Sequence, residues 1–182
     1  RLPGQSTTID PGGLYTGTAG VITQLVADGI TAMPNTTSVK FGSTSEPDIE
    51  GNKVTFLGWG RQGFNPSVTG VYQVPTVGRI VPTVIADNSM TVPGTTVKFS
   101  DFYAPSFDGN DVGFTAWYGG RFLDRVLCRT FAGVLTKIVD PTTSLVGMSG
   151  RLILGREVSV SGVETLFTVT DALGNDGLFL HS

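Results

Sequence analysis

Cysteine and histidine are nearly missing from this chain: Cys128 and His181 are the only ones among 182 residues. One thiol cannot build a disulfide framework or a cysteine zinc site. One imidazole, a residue from the end of the sequence, is poorly placed for nucleophilic catalysis, which needs a base held rigidly by packing. His181 therefore reads as an exposed tail residue, and Cys128, in the apolar run RVLCRTF, as a small buried hydrophobe. Charge is scarce too, at 15% of residues against the usual ~25%. That excludes a charge-driven disordered chain and a long coiled coil. With 12 Lys+Arg against 15 Asp+Glu there is no basic footprint, so neither nucleic acid nor an anionic membrane is an expected partner. No apolar run approaches the ~20 residues that span a bilayer, and no membrane insertion is expected. The opening RLPGQSTTIDPGG lacks a basic segment followed by an apolar one, so any signal peptide is expected to have been removed already or never to have existed. A P-loop, an HExxH helix and a GxSxG elbow are absent, and no cofactor is expected.

What the chain has is glycine, 25 residues of it, and a repeat. Residues 25–41 read LVADGITAMPNTTSVKF and residues 84–99 read VIADNSMTVPGTTVKF. Downstream, PDIEGNKVTFLGW (47–59) matches PSFDGNDVGFTAW (105–117). Asp28 and Asp87 stand 59 residues apart, and Phe56 and Phe114 stand 58 apart. A degraded third copy follows in VLTKIVDPTTSLVG (134–147) and VSVSGVETLFTVT (158–170), with Asp140 and Phe167 in the matching places. Short openers mark the copies: GLY at 13–15, GVY at 70–72, RVL at 125–127 and a last GLF at 177–179. These give an N-terminal extension (1–12), repeats at 13–69, 70–124 and 125–176, and a terminal strand at 177–182, all in one domain.

Within each copy the hydrophobic period is two, as in half-buried strands. VITQLVAD (21–28) and RIVPTVIAD (79–87) read as strands closed by a capping Asp, with Pro82 demanding an edge, a bulge or an interruption in the second. EGN at 50–52 and DGN at 108–110 supply tight turns. No stretch of ten residues has helical spacing. The expected fold is all-β: three tandem blade-like antiparallel sheet repeats, propeller-like or of another threefold architecture.

The order of S/D-x-D/E-G-N-x-V-x-F, G-[LV]-Y and a strand ending in Ala-Asp resembles the blade pattern of TolB-like and WD-like β-propellers. It is more closely similar to the repeats of exported bacterial "choice-of-anchor tandem repeat" proteins, a family without an assigned function. The resemblance spans residues 13–180. It implies a blade-like fold and an exported protein, and it brings no catalytic residues. Abundant Thr, Ser, Gly and Asn with little Lys point the same way, to an extracellular or cell-surface location.

Three blades are too few to close a propeller, which takes at least four. Two chains could complete a ring, or the copies could adopt a prism or trefoil. A third route starts from the ends. Gly13, Leu14 and Tyr15 open the array, and Gly177, Leu178 and Phe179 add a spare strand, so the ends are complementary. Such ends make head-to-tail rings or filaments by strand addition, and a homo-oligomer or polymer is the expected state.

For binding, Trp59 and Trp117 end matched strands, with Arg61, Phe64, Tyr118, Arg121 and Phe122 nearby in sequence. Aromatics at loop mouths stack on sugars or anchor interfaces, but equally pack blade on blade. Phe41, Phe56, Phe99, Phe114, Tyr15 and Tyr72 recur in phase and are assigned to the core. Asp28, Asp87 and Asp140 recur at the same place and read as turn caps rather than catalytic carboxylates. Asp101, Asp108 and Asp111, beside Asn110, are a weak calcium set without EF-hand spacing. The leading expectation is a non-enzymatic structural or adhesive protein that self-assembles. A carbohydrate-binding module stands second and a polysaccharide hydrolase with paired carboxylates third.

Overall fold

A computed structural model describes residues 12–18, 20–60, 67–119 and 124–182. The described residues contain no helix and fourteen strands in four antiparallel sheets. Strands β1 (Gly13–Thr18) and β2 (Val21–Ala27) form a hairpin. The second sheet runs in the order β3 (Phe41–Glu50), β4 (Lys53–Gly60), β5 (Val68–Pro75) and β6 (Thr83–Asp87). The third joins β7 (Phe99–Phe102), β9 (Asp111–Tyr118), β10 (Arg125–Phe131) and β11 (Val134–Val139), with β8 (Ser106–Asp108) also on β9. The fourth has β12 (Ile153–Ser161), β13 (Glu164–Thr170) and β14 (Asp176–His181). No barrel or propeller closes among the described residues.

The turns follow their sequences. Glu50 pairs with Lys53 and Asp108 with Asp111, leaving two-residue connections that start on Gly51 (φ 56°) and Gly109 (φ 64°). A left-handed first residue matches the twist of the flanking strands, and glycine adopts it without a Cβ clash. Pro82 interrupts as its chemistry requires: of the run 79–87, only Thr83–Asp87 is strand.

The sheets stack in chain order, with one core at each of the three junctions. Leu14, Val26, Phe41, Phe56 and Tyr72 meet between the first and second sheets. Val71, Ala86, Phe99, Phe114 and Cys128 meet between the second and third. Leu127, Val139, Leu152, Leu154 and Phe167 meet between the third and fourth. Alternate residues of one strand therefore serve two cores: Tyr72 faces back and Val71 forward, and Cys128 faces back while Leu127 faces forward. This corrects the half-buried reading of the Val54–Phe56 and Val112–Phe114 strands, which are covered on both faces. Small residues make room where sheets approach: a Cβ on Gly113 of β9 would run into the Val160 side chain of β12.

Register refines the third opener. Phe56 pairs with Tyr72, Phe114 with Cys128 and Phe167 with Phe179. The residue in Tyr72's place is thus Cys128, so the segment matching GVY is 126–128 rather than 125–127. The openers also fall inside sheets rather than between them, because each of the first three sheets ends on the strand that runs into Asp28, Asp87 or Asp140.

Candidate functional site

The inner sheets bury both faces, and the outer sheets bury one. On the first sheet Tyr15, assigned to the core from its phase, is 46% exposed. Its strand has no earlier sheet behind it among the described residues, and its hydroxyl accepts a hydrogen bond from Gln24 Nε2 at 2.8 Å. Gln24 and Ile22 share this outer face, opposite Tyr15 and Gly17. On the last sheet Phe179 turns inward and stacks on Phe167 with centroids 5.9 Å apart. Leu178 and Leu180 turn outward and are 66% and 58% exposed, with Leu166, the register partner of Leu180, beside them. Gly13, Leu14 and Tyr15 therefore lie on β1, and Gly177, Leu178 and Phe179 on β14, each a strand with one edge unpaired among the described residues. Leu14 differs from Tyr15 in facing the first core.

The tryptophans do not share a site. Trp59 is 41% exposed, and its ring covers Gly42, where a Cβ would stand 3.0 Å from it. Beside it opens a shallow cavity of about 170 Å³ with Ser43, Ser45, Thr69 and Asp101 in its walls, but not Trp117. Trp117 is half-buried and meets the Tyr103 ring edge-on at 5.2 Å and 89°. The Arg125 and Arg156 guanidinium groups lie over that same tyrosine at 5.3 and 5.0 Å. Trp117 is thus engaged in the third-to-fourth-sheet junction. Tyr118 packs against the second core, and burial together with Asp140 and Asp124 raises its pKa. Arg61, Phe64, Arg121 and Phe122 lie outside the described residues.

The carboxylates are committed elsewhere. Asp101 Oδ1 accepts the Phe102 amide at 2.9 Å, Asp108 Oδ2 accepts the Gly162 amide, and Asp111 Oδ2 pairs with Arg129 at 2.9 Å. The three suggested for calcium thus serve three different donors, and no group of three acidic, histidine or cysteine side chains that could hold a metal occurs among the described residues. Asp87 and Asp140 cap turns as expected: Asp87 accepts the amide and hydroxyl of Ser89, and Asp140 those of Thr142. Asp28 departs from the pattern. Its Oδ1 is buried without a hydrogen-bond partner among the described residues, and burial raises its pKa. Burial likewise pushes the Cys128 thiol up to about 12, where it is inert as a nucleophile.

Burial works against the Asp140 carboxylate too, but hydrogen bonds from Lys137 and Thr142 prevail and hold its pKa at about 2. Asp171, bonded by Asn175, is also held at about 2. Both lie below the ordinary 3.8, so their stabilisation is present above that value and is lost as pH falls toward 2. Thermal melts between pH 7 and 2 are expected to hold down to about pH 4 and then drop. Asp140→Asn should lower the plateau by about 1 kcal/mol, because solvent screens the part-exposed Lys137 partner, and flatten the acid limb; an unchanged acid limb would clear Asp140 of the role.

The residue the sequence reading passed over is Arg129. It is buried and bonds Asp111 on β9, the carbonyls of Gly162 and Glu164, and Thr165 Oγ1. Its one sequence signal is a second charge inside the largely apolar run RVLCRTF. His181 is exposed at the end of β14 and rims an open cavity of about 460 Å³ with Phe131, Ile138 and Val163.

No family model, curated protein or solved structure matches this chain.

Proposed function

We propose that the chain is a structural module of exported surfaces, without catalytic function, in which sheets of one tandem repeat stack blade on blade and copies join end to end. One observation carries this reading. Val71 and Leu127 occupy matching register positions and are fully buried under the next sheet, whereas Leu178 in the same position is 66% exposed. A leucine left bare where its counterparts are covered marks an uncompleted junction, and burying it stabilises by about 2 kcal/mol. Ile22 on the first sheet is bare in the same way. The two ends are different surfaces, so their contact is heterologous and extends to rings or filaments. Trp59, exposed beside Ser43, Ser45 and Thr69, supports a second reading, a sugar contact at this one indole.

Sedimentation or light scattering should show mass rising with concentration, and Leu178→Asp should return the chain to a single-copy mass with an unchanged circular dichroism spectrum. A single-copy mass for the unaltered chain at every concentration would sink the proposal.

A further inference from the structure

The end-to-end reading leaves open how the ends engage, and the geometry of β14 bears on this. Three strands with matching register, β1, β5 and β10, each pair with the strand that follows them. All three pairings shift register at the same place, between Leu14 and Tyr15, Val71 and Tyr72, and Leu127 and Cys128. The extra residue, Leu25, Ile85 or Ile138, joins or packs against the forward core. At the inner junctions the fourth strand of the next sheet adds a side chain to the same core. Val84 of β6 packs against the core that holds Leu25, and Leu135 of β11 against the one that holds Ile85. At the last junction no such strand occurs among the described residues. β14 carries the same Leu178–Phe179 pair with a bare edge beyond it, and Ile138 faces the cavity of about 460 Å³. The cavity lies between β10–β11 and the end of β14, where a fourth strand of the last sheet would run.

We propose that this groove receives β2 of a second copy, which leaves its own β1 and pairs antiparallel with β14. This rests on the end-to-end reading and gives it a mechanism. Two observations select β2. First, Ile22 stands in β2 where Leu135 stands in β11: Gly17 pairs with Ile22 as Thr130 pairs with Leu135. Leu135 packs into a core, while Ile22 is 75% exposed and supplies the side chain that the cavity lacks. Second, β1 is a weak partner. It belongs to a sheet of two strands, marginal in water, and sends one apolar side chain, Leu14, into the core. β14 offers Leu178 in Leu14's place and brings β12 and β13 with it. The exchange moves β2 from a two-stranded sheet into a four-stranded one, covers the bare edge of β14 and leaves β1 unpaired.

The register follows from the β1–β2 pairing. Leu14–Val26, Tyr15–Gln24 and Gly17–Ile22 become Leu178–Val26, Phe179–Gln24 and His181–Ile22 between copies. His181 and Ile22 are both exposed in the separate chain, so cysteines there leave the cores untouched, and native Cys128 is buried. Directly opposed residues have Cα atoms about 4.5–5.5 Å apart, within disulfide range. Chains carrying Ile22→Cys and His181→Cys are mixed, incubated and oxidised, and the products are mapped by mass spectrometry. Controls pair Ile22→Cys with Leu180→Cys, which faces the opposite side of the sheet, and with Val146→Cys, far along an exposed loop. The expected result is a mixed 22–181 disulfide at least ~10-fold above both controls. Equal yields with the unaltered chain still sedimenting as an assembly would overturn strand exchange and leave end-to-end association standing. Equal yields with a single-copy mass would overturn both.

Discussion

Replacing Arg129 with alanine is expected to lower the melting temperature by roughly 10 °C, the largest loss from any polar substitution in the described residues. The guanidinium reaches across a junction: Nη2 holds Asp111 on β9 and the Gly162 carbonyl, and Nη1 holds the Glu164 carbonyl and Thr165 Oγ1. Truncation leaves the Asp111 carboxylate without its partner and strips donors from the β12–β13 turn. Breaking a buried pair from one side costs about 3–5 kcal/mol, because the remaining charge stays desolvated. In a protein of this size each kcal/mol shifts melting by about 2–4 °C. Arg129→Met should recover part of the loss by restoring packing against Phe131, whose ring lies 5.9 Å from the guanidinium carbon. Arg125→Ala is the comparison, since Arg125 gives the next sheet one hydrogen bond, to the Leu154 carbonyl. Calorimetry of the three variants decides: equal losses for Arg125→Ala and Arg129→Ala would show that the buried ion pair adds nothing to the junction.

The same residue shows where sequence reading ran out. Strand identity was legible because Gly51 and Gly109 fix two-residue turns and the β-branched runs between them suit nothing but strand. The capping roles of Asp87 and Asp140 were legible because they depend on neighbours within three residues in the chain. What was hidden depends on stacking. Tyr15 and Tyr72 share a local pattern, yet one is half exposed and the other buried, because among the described residues only Tyr72 has a sheet behind it. Likewise Trp59 and Trp117 end matched strands, but Trp117 alone meets Tyr103, which lies outside the matched segments. The two tryptophans therefore have different surroundings, one beside an open cavity and one within a junction. Asp111 seemed free for calcium because nothing in the chain near position 111 announces a buried arginine at 129.

Stacking also sets how damage spreads, and this yields the second large expectation. Phe56, Phe114 and Phe167 each sit in a different core. Phe56 meets Phe41 and Tyr72 at 5.6 and 5.9 Å, and Phe114 meets Phe99 and Phe102 at 6.1 and 5.7 Å. Phe167 meets one aromatic ring, half-buried Phe179. Alanine at 56 or 114 should cost about 3–5 kcal/mol, and at 167 less, since Phe167 packs on a half-buried ring rather than inside a cluster of buried ones. In a linear stack each sheet depends on its neighbours alone, so the losses should stay local. Hydrogen exchange on Phe56→Ala is expected to deprotect β1–β5 first while β12–β14 keep their protection, and Phe167→Ala should do the reverse. Phe114→Ala, in the central core, should uncouple the two halves and affect both. A uniform loss of protection in all three variants would mean that the four sheets unfold as one cooperative unit, which a chain of separate junction cores does not predict.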